Sequence, residues 1–216
     1  MNKKTKISKL QLILTVLSVS CLIISNVVAS KQMLLPFEIT MTCGIFVFPI
    51  TYILSDIFSE IYGYKWSRFT CYISFSINIL MVVIFEISIL TPAPNYWQNQ
   101  EAFAIVLGSS PRVLVASVLS FLIGDFVNDK VFRKMKANHE NSHKGFSLRA
   151  IVSSFCGEIV DSCIFIPVAF FGQMSICALV QMFFAQVFIK TLYEIIILPV
   201  TNVAIKCVSK YENTGE

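Results

Sequence analysis

The amino-acid sequence predicts an all-α polytopic membrane protein with six transmembrane helices and both termini on the cytoplasmic side. Three observations predict it. Of 216 residues, 56% are hydrophobic and only 14% charged, and the mean hydropathy is +0.72, far above that of a soluble domain. Apolar runs of the length a bilayer-crossing helix needs, roughly 20 residues, recur between short polar breaks. Lys and Arg crowd alternate breaks, as expected when basic loops stay on the cytoplasmic face. The whole chain, 1–216, reads as a single integral membrane domain with no room for a soluble catalytic one.

The first helix is expected over 10–30, after the basic segment MNKKTKISK. Val27 and Ala29 have the size a signal-peptidase site wants, but the apolar run is longer than the 7 to 15 residues usual for a signal core, so it reads as a retained helix. The second, over 43–62, carries Asp56 and Glu60 one turn apart and ends in a Tyr-Gly-Tyr-Lys corner. The third spans 69–90, with Glu86 near its far end. Residues 92–111 hold Pro, Trp and one short apolar patch, the composition of an interfacial segment. In the fourth helix, 112–132, Ser117, Ser120, Gly124 and Asn128 share one face and Asp125 flanks it. Small residues on one face admit a close helix neighbour, so that face is expected to pack inward. The fifth, 148–171, places Ser154, Glu158 and Asp161 on one face near its midpoint. The sixth, 177–207, contains Gln181, Gln186, Lys190, Glu194 and Pro199, and is long enough to be broken.

The orientation follows from counting Lys and Arg. The N-terminus has four, the second loop two, the fourth loop six and the C-terminus two, whereas the first and third loops have one each and the fifth none. The basic patches are therefore topological, and no nucleic-acid partner is needed to explain them. The seven cysteines form no CxxC pair and read as small packing residues. His139 and His143 lie in the polar loop ANHENSHKG without a third ligand nearby, so no metal site and no cofactor is expected.

The acids inside apolar runs carry the functional signal. An ionised side chain at the centre of a membrane helix costs about 2.5 to 3.5 kcal/mol on insertion scales, so such residues face the bundle interior and mark substrate paths. The bland alternatives are that Lys190 pairs with Glu194 one turn away and that Glu60 and Asp129 reach the cytoplasmic interface. Glu158 and Asp161, near mid-membrane, have no such escape. A cluster of acids, amides and one Lys could serve proton-coupled transport, a polar binding pocket for a heteroatom-rich solute, or intramembrane proteolysis. The last is least supported, because Leu122–Asp125 lacks a Gly-x-Gly-Asp spacing and no Ser/His arrangement lies inside a span. The chain therefore reads as a non-enzyme.

Four blocks, FPITYILSDIFSEIYGYKWSR at 48–68, LGSSPRVLVASVLSFLIGDFVND at 107–129, LRAIVSSFCGEIVDSCIFIPVAFFG at 148–172 and FIKTLYEIIILPVTN at 188–202, resemble the queuosine precursor transporter family, also called the vitamin uptake transporter family. The resemblance implies a six-helix inner (plasma) membrane protein that takes up 7-deazaguanine precursors of the tRNA base queuosine: preQ0, preQ1, queuine or its nucleoside. The family's acidic motif falls on Asp56 and Glu60, its small-residue-and-amide stretch on Gly124 to Asn128, its Gly-Glu-x-x-Asp stretch on Gly157, Glu158 and Asp161, and its last-helix pair on Lys190 and Glu194. Members often carry Glu or Gln where this chain has the shorter Asp125.

The implied substrate suits these residues. A 7-deazaguanine presents N1–H beside an exocyclic amine, a donor pair that one carboxylate accepts in two-pronged fashion, and preQ1 adds an aminomethyl cation for a second acid. Glu158 or Asp161 is expected to read the guanine-like edge, Asn128 or Gln186 the carbonyl, and a ring such as Phe155 or Tyr193 to stack on the plane. No Gly-x-x-x-x-Gly-Lys loop is present. The chain is then either a secondary carrier or the substrate-binding subunit of a complex whose ATPase is another chain, working as a monomer or a homodimer.

Overall fold

The computed structural model describes residues 7–36, 39–137 and 146–214. His139 and His143 lie outside the described residues, as does the side chain of Asp129. The described chain is a helical bundle with one short hairpin: α1 (Lys9–Val28), β1 (Gln32–Leu34), β2 (Thr40–Thr42), α2 (Phe48–Ile57), α3 (Tyr64–Leu90), α4 (Gln100–Leu107), α5 (Ser110–Ala137), α6 (Phe146–Phe170) and α7 (Ile176–Thr214). Five stretches are long and apolar enough to cross a membrane: Lys9–Val28, Lys65–Leu90, Gln100–Asn128, Ile151–Phe170 and Ile176–Asn213.

The second expected span differs from a plain helix. It is assembled from a 3-10 turn (Cys43–Phe46), α2, and a π turn (Phe58–Tyr62). Pro49 enters at the first turn of α2, where its missing N–H leaves no bond unmade. Gly63 ends the path at φ +79°, a conformation that a side chain disfavours, and its carbonyl accepts from Trp66 and Ser67 to start α3. The hairpin between α1 and α2 was not legible in the sequence. Its strands pair antiparallel, Gln32 opposite Thr42 and Leu34 opposite Thr40. The last helix, in contrast, is unbroken across Pro199. At 1.5 Å per residue its 39 residues extend about 58 Å, well beyond a hydrocarbon core of about 30 Å.

Packing is inverted relative to a soluble protein. Large apolar side chains such as Leu12, Ile13, Leu80, Ile84, Phe126, Phe184 and Ile196 are exposed around the outside, the surface that lipid covers. Asn78, Ser120, Ser153, Ser162, Gln186 and Lys190 are buried. An amide network binds three helices at depth. Asn26 of α1 donates to Asn78 of α3 at 2.9 Å and accepts from the Ser117 hydroxyl of α5 at 3.0 Å. Asn78 in turn donates to the Ser74 carbonyl.

The closest helix approach is made by the small-residue face of α5. A Cβ on Gly124 would lie 3.0 Å from the Gly157 carbonyl oxygen, and one on Gly157 would lie 3.0 Å from the Gly124 carbonyl oxygen and from Asn128 Cβ. Backbone therefore meets backbone between α5 and α6, the arrangement that small residues permit in membranes. Apolar packing supports this contact from one end, where Val113, Ala116, Phe165, Ile166, Ala169 and Met182 are buried together. Of the cysteines, all free, Cys21 alone is buried, while Cys163, Cys177 and Cys207 are exposed rather than packed inside.

Candidate functional site

Two helices present side chains to the bundle interior at every fourth residue. On α2 the stripe is Phe48, Tyr52, Asp56; on α7 it is Gln186, Lys190, Glu194. Residues four apart stack on one helix face, so each stripe forms a continuous wall. Between them, Glu158 and Asp161 project from α6 three residues apart, and α5 contributes Gly124, Asp125 and Asn128. These walls enclose a cavity of about 310 Å³, at the lower end of the range of small-molecule sites, about 300 to 1,000 Å³. Phe75, Phe121 and Phe165 complete its apolar lining, with Ser25, Asn26 and Thr42 among its polar groups.

Lys190 is the electrostatic centre. Its Nζ lies 2.7 Å from Asp161 Oδ2 and 2.8 Å from Glu158 Oε2, with the Phe48 ring centroid 4.5 Å away. The ammonium is almost wholly buried, so its charge is held by the two carboxylates and the ring face rather than by water. Tyr52 donates its hydroxyl to the other Glu158 oxygen, Oε1, at 2.6 Å. Glu158 is thus engaged at both oxygens, by a hydrogen bond at Oε1 and an ion pair at Oε2, whereas Asp161 Oδ1 makes no hydrogen bond among the described residues. The pairing differs from the local one expected within α7. Lys190 reaches across to α6, and Glu194 lies instead beside the Ser154 hydroxyl. Asp125 is likewise engaged, by the guanidinium of Arg68 on α3.

The cavity thus brings carboxylates, amides and aromatic faces together inside the bundle. Residues 42–204 match the protein family described as "Putative vitamin uptake transporter". The chain belongs to that family. A protein of Bacillus subtilis (strain 168) named "Probable queuosine precursor transporter" is 24% identical to it over 179 residues, covering 83% of this chain and 78% of that protein. No solved structure matches the chain significantly. The family match takes in every cavity residue from Thr42 to Glu194, while the α1 lining, Leu22, Ser25, Asn26 and Ala29, precedes it.

In this vitamin uptake transporter family member the residues singled out from the sequence are drawn together to an unequal degree. Asp56, Asp125, Asn128, Glu158, Asp161, Gln186, Lys190 and Glu194 all line the cavity. Glu60 does not; it lies on the π turn and is exposed. Phe155 and Tyr193 do not line it either. Phe155 is six residues from Asp161, about 120° round α6, and Tyr193 is one residue off the α7 stripe, about 100° round. The rings that face the chamber are Phe48, Tyr52, Phe75, Phe121 and Phe165. Tyr52, which lines the cavity and donates to Glu158, is absent from the residues singled out by their charge. Its signal was present, four residues before Asp56 on the same face.

Proposed function

We propose that this protein imports 7-deazaguanine precursors of queuosine, such as preQ0, preQ1 or queuine, across the inner (plasma) membrane for tRNA modification. The observation that carries the reading is the cavity itself, an intramembrane chamber whose acceptors outnumber its donors and whose walls include flat rings. A guanine-like edge offers adjacent N–H donors, which suit Asp161 Oδ1. Asn128 can donate to the ring carbonyl, and the Phe75 and Phe121 rings, 5.5 Å apart and set edge to face, can flank the plane. The name of the Bacillus subtilis relative supports the same substrate class.

Both termini are placed on the cytoplasmic side in this reading, and the chain acts as a carrier on its own or as a homodimer. The bilayer and the small-molecule substrate are its partners, and nucleic acid is not. Uptake by proteoliposomes containing only this protein tests it, with labelled preQ0, preQ1 and queuine and with or without an imposed pH gradient. Entry faster than into empty vesicles is the expected result. Binding without entry would instead identify a substrate-binding subunit that needs a separate ATPase chain, and absence of both would overturn the reading.

A further inference from the structure

Five carboxylates line the cavity, against the single ammonium of Lys190. Three of the five are answered: Asp125 by Arg68, and Glu158 and Asp161 by Lys190. Asp56 on α2 and Glu194 on α7 have no ion-pair partner among the described residues. Glu194 lies within Coulombic reach of Asp56 and Glu158, and Asp56 of Glu60, so this pair sits among other acids. Lys190 cannot answer them, because its Nζ is already shared between two carboxylates beneath the Phe48 ring.

A second observation on the same wall points outward to a ligand. Gln186, two turns before Glu194 on the inward stripe of α7, is only 2% exposed, and its side-chain oxygen has no hydrogen-bond partner among the described residues. A buried acceptor left unpaired costs free energy that a donor entering the cavity would recover. Acceptor and acids together call for a positively charged donor.

We infer that Asp56 and Glu194, with the Gln186 amide oxygen, form a subsite for one positive charge that arrives with the ligand, either as the ligand's own ammonium or as a monovalent cation bound beside it. The inference rests on the uptake reading and deepens it. Among the compounds which that reading admits, the subsite selects the aminomethyl cation of preQ1 over the neutral nitrile of preQ0. Lys190 then serves as an internal counter-ion that keeps Glu158 and Asp161 from competing for the incoming charge.

Calorimetric binding of preQ1 and preQ0 to the full chain in lipid nanodiscs, in sodium-free and sodium-containing buffer, tests this. Without sodium, preQ1 is expected to bind about tenfold more tightly than preQ0, or better. The double variant Asp56→Asn, Glu194→Gln should collapse that ratio to within about threefold of unity. Asp56→Glu keeps the charge and should keep the ratio, as should Glu60→Gln outside the cavity, which separates loss of charge from loss of fold. A sodium-dependent gain of about tenfold in preQ0 binding, absent from the double variant, would also support the subsite and identify the charge as a co-bound ion. Equal binding of the two compounds with no sodium effect would overturn the subsite and leave the uptake reading standing. Failure of wild-type protein to bind either compound would overturn the uptake reading, and the subsite with it.

Discussion

The acids of α6 and those that face each other from α2 and α7 share one cavity but live under different constraints. Glu158 and Asp161 are held by Lys190, with Tyr52 fixing Glu158 a second time. Asp56 and Glu194 have a Ser154 hydroxyl and like-charged neighbours. Two identical residue types at similar depth therefore do different work: one pair joins helices α2, α6 and α7, and the other is left open towards the chamber. An intramembrane acid is a marker of function in general, but its partners decide whether it holds structure or awaits a ligand.

The contrast is broken most severely at Lys190. Lys190→Met would leave two half-buried carboxylates facing each other without their buried cation, and removing one partner from a buried pair costs about 3 to 5 kcal/mol. Loss of folded protein in a detergent unfolding series, together with loss of uptake, is the expected outcome. Adding Glu158→Gln and Asp161→Asn to that variant should restore much of the stability without restoring transport. If the single variant unfolds like wild type, the triad is not structural.

Next in size is the helix contact that sets the spacing of the cavity walls. Gly157→Leu must push α5 and α6 apart, because its Cβ would meet backbone on the opposite helix. A loss of about 1 to 3 kcal/mol is expected, the cost of overpacking, and it is read as a lowered unfolding midpoint. Tyr52→Phe sharpens the comparison with an effect of similar size. It removes one hydrogen bond to a carboxylate, about 1.5 to 3 kcal/mol for charged acceptors, and should weaken stability while Lys190 still holds Glu158. The smallest effect belongs to Glu60→Gln. Exposed and outside the cavity, Glu60 should tolerate the change within about 0.5 kcal/mol and with unchanged uptake, and a large loss of uptake would extend the site beyond the chamber.

Much of this was legible from residues alone. Hydropathy marked the helices long and apolar enough to cross a membrane, and the Ser117, Ser120, Gly124, Asn128 face announced the close packing that Gly157 completes. The acids of α2, α5, α6 and α7 singled out from the sequence line one cavity, Glu60 excepted. What the sequence hid was interhelical. A lysine four residues from a glutamate looks like a local pair, and only the approach of α6 reveals that two acids there hold it more directly. Ring contacts failed for the same reason, since which aromatic faces the chamber depends on helix rotation, which spacing from a single acid does not determine. The second span reads as one apolar run, and its division into three helical geometries is a matter of backbone hydrogen bonding that side-chain pattern does not record.

One contact at the end of the bundle bears on how the chain is made. The Glu212 carboxylate near the end of α7 accepts from the Ser8 hydroxyl, which caps α1, and from the Tyr62 hydroxyl at 2.7 Å. Ser8 and Glu212 are 204 positions apart. During synthesis this tie between the start of α1 and the far part of α7 can therefore form only after Glu212 has been added, 204 positions after Ser8.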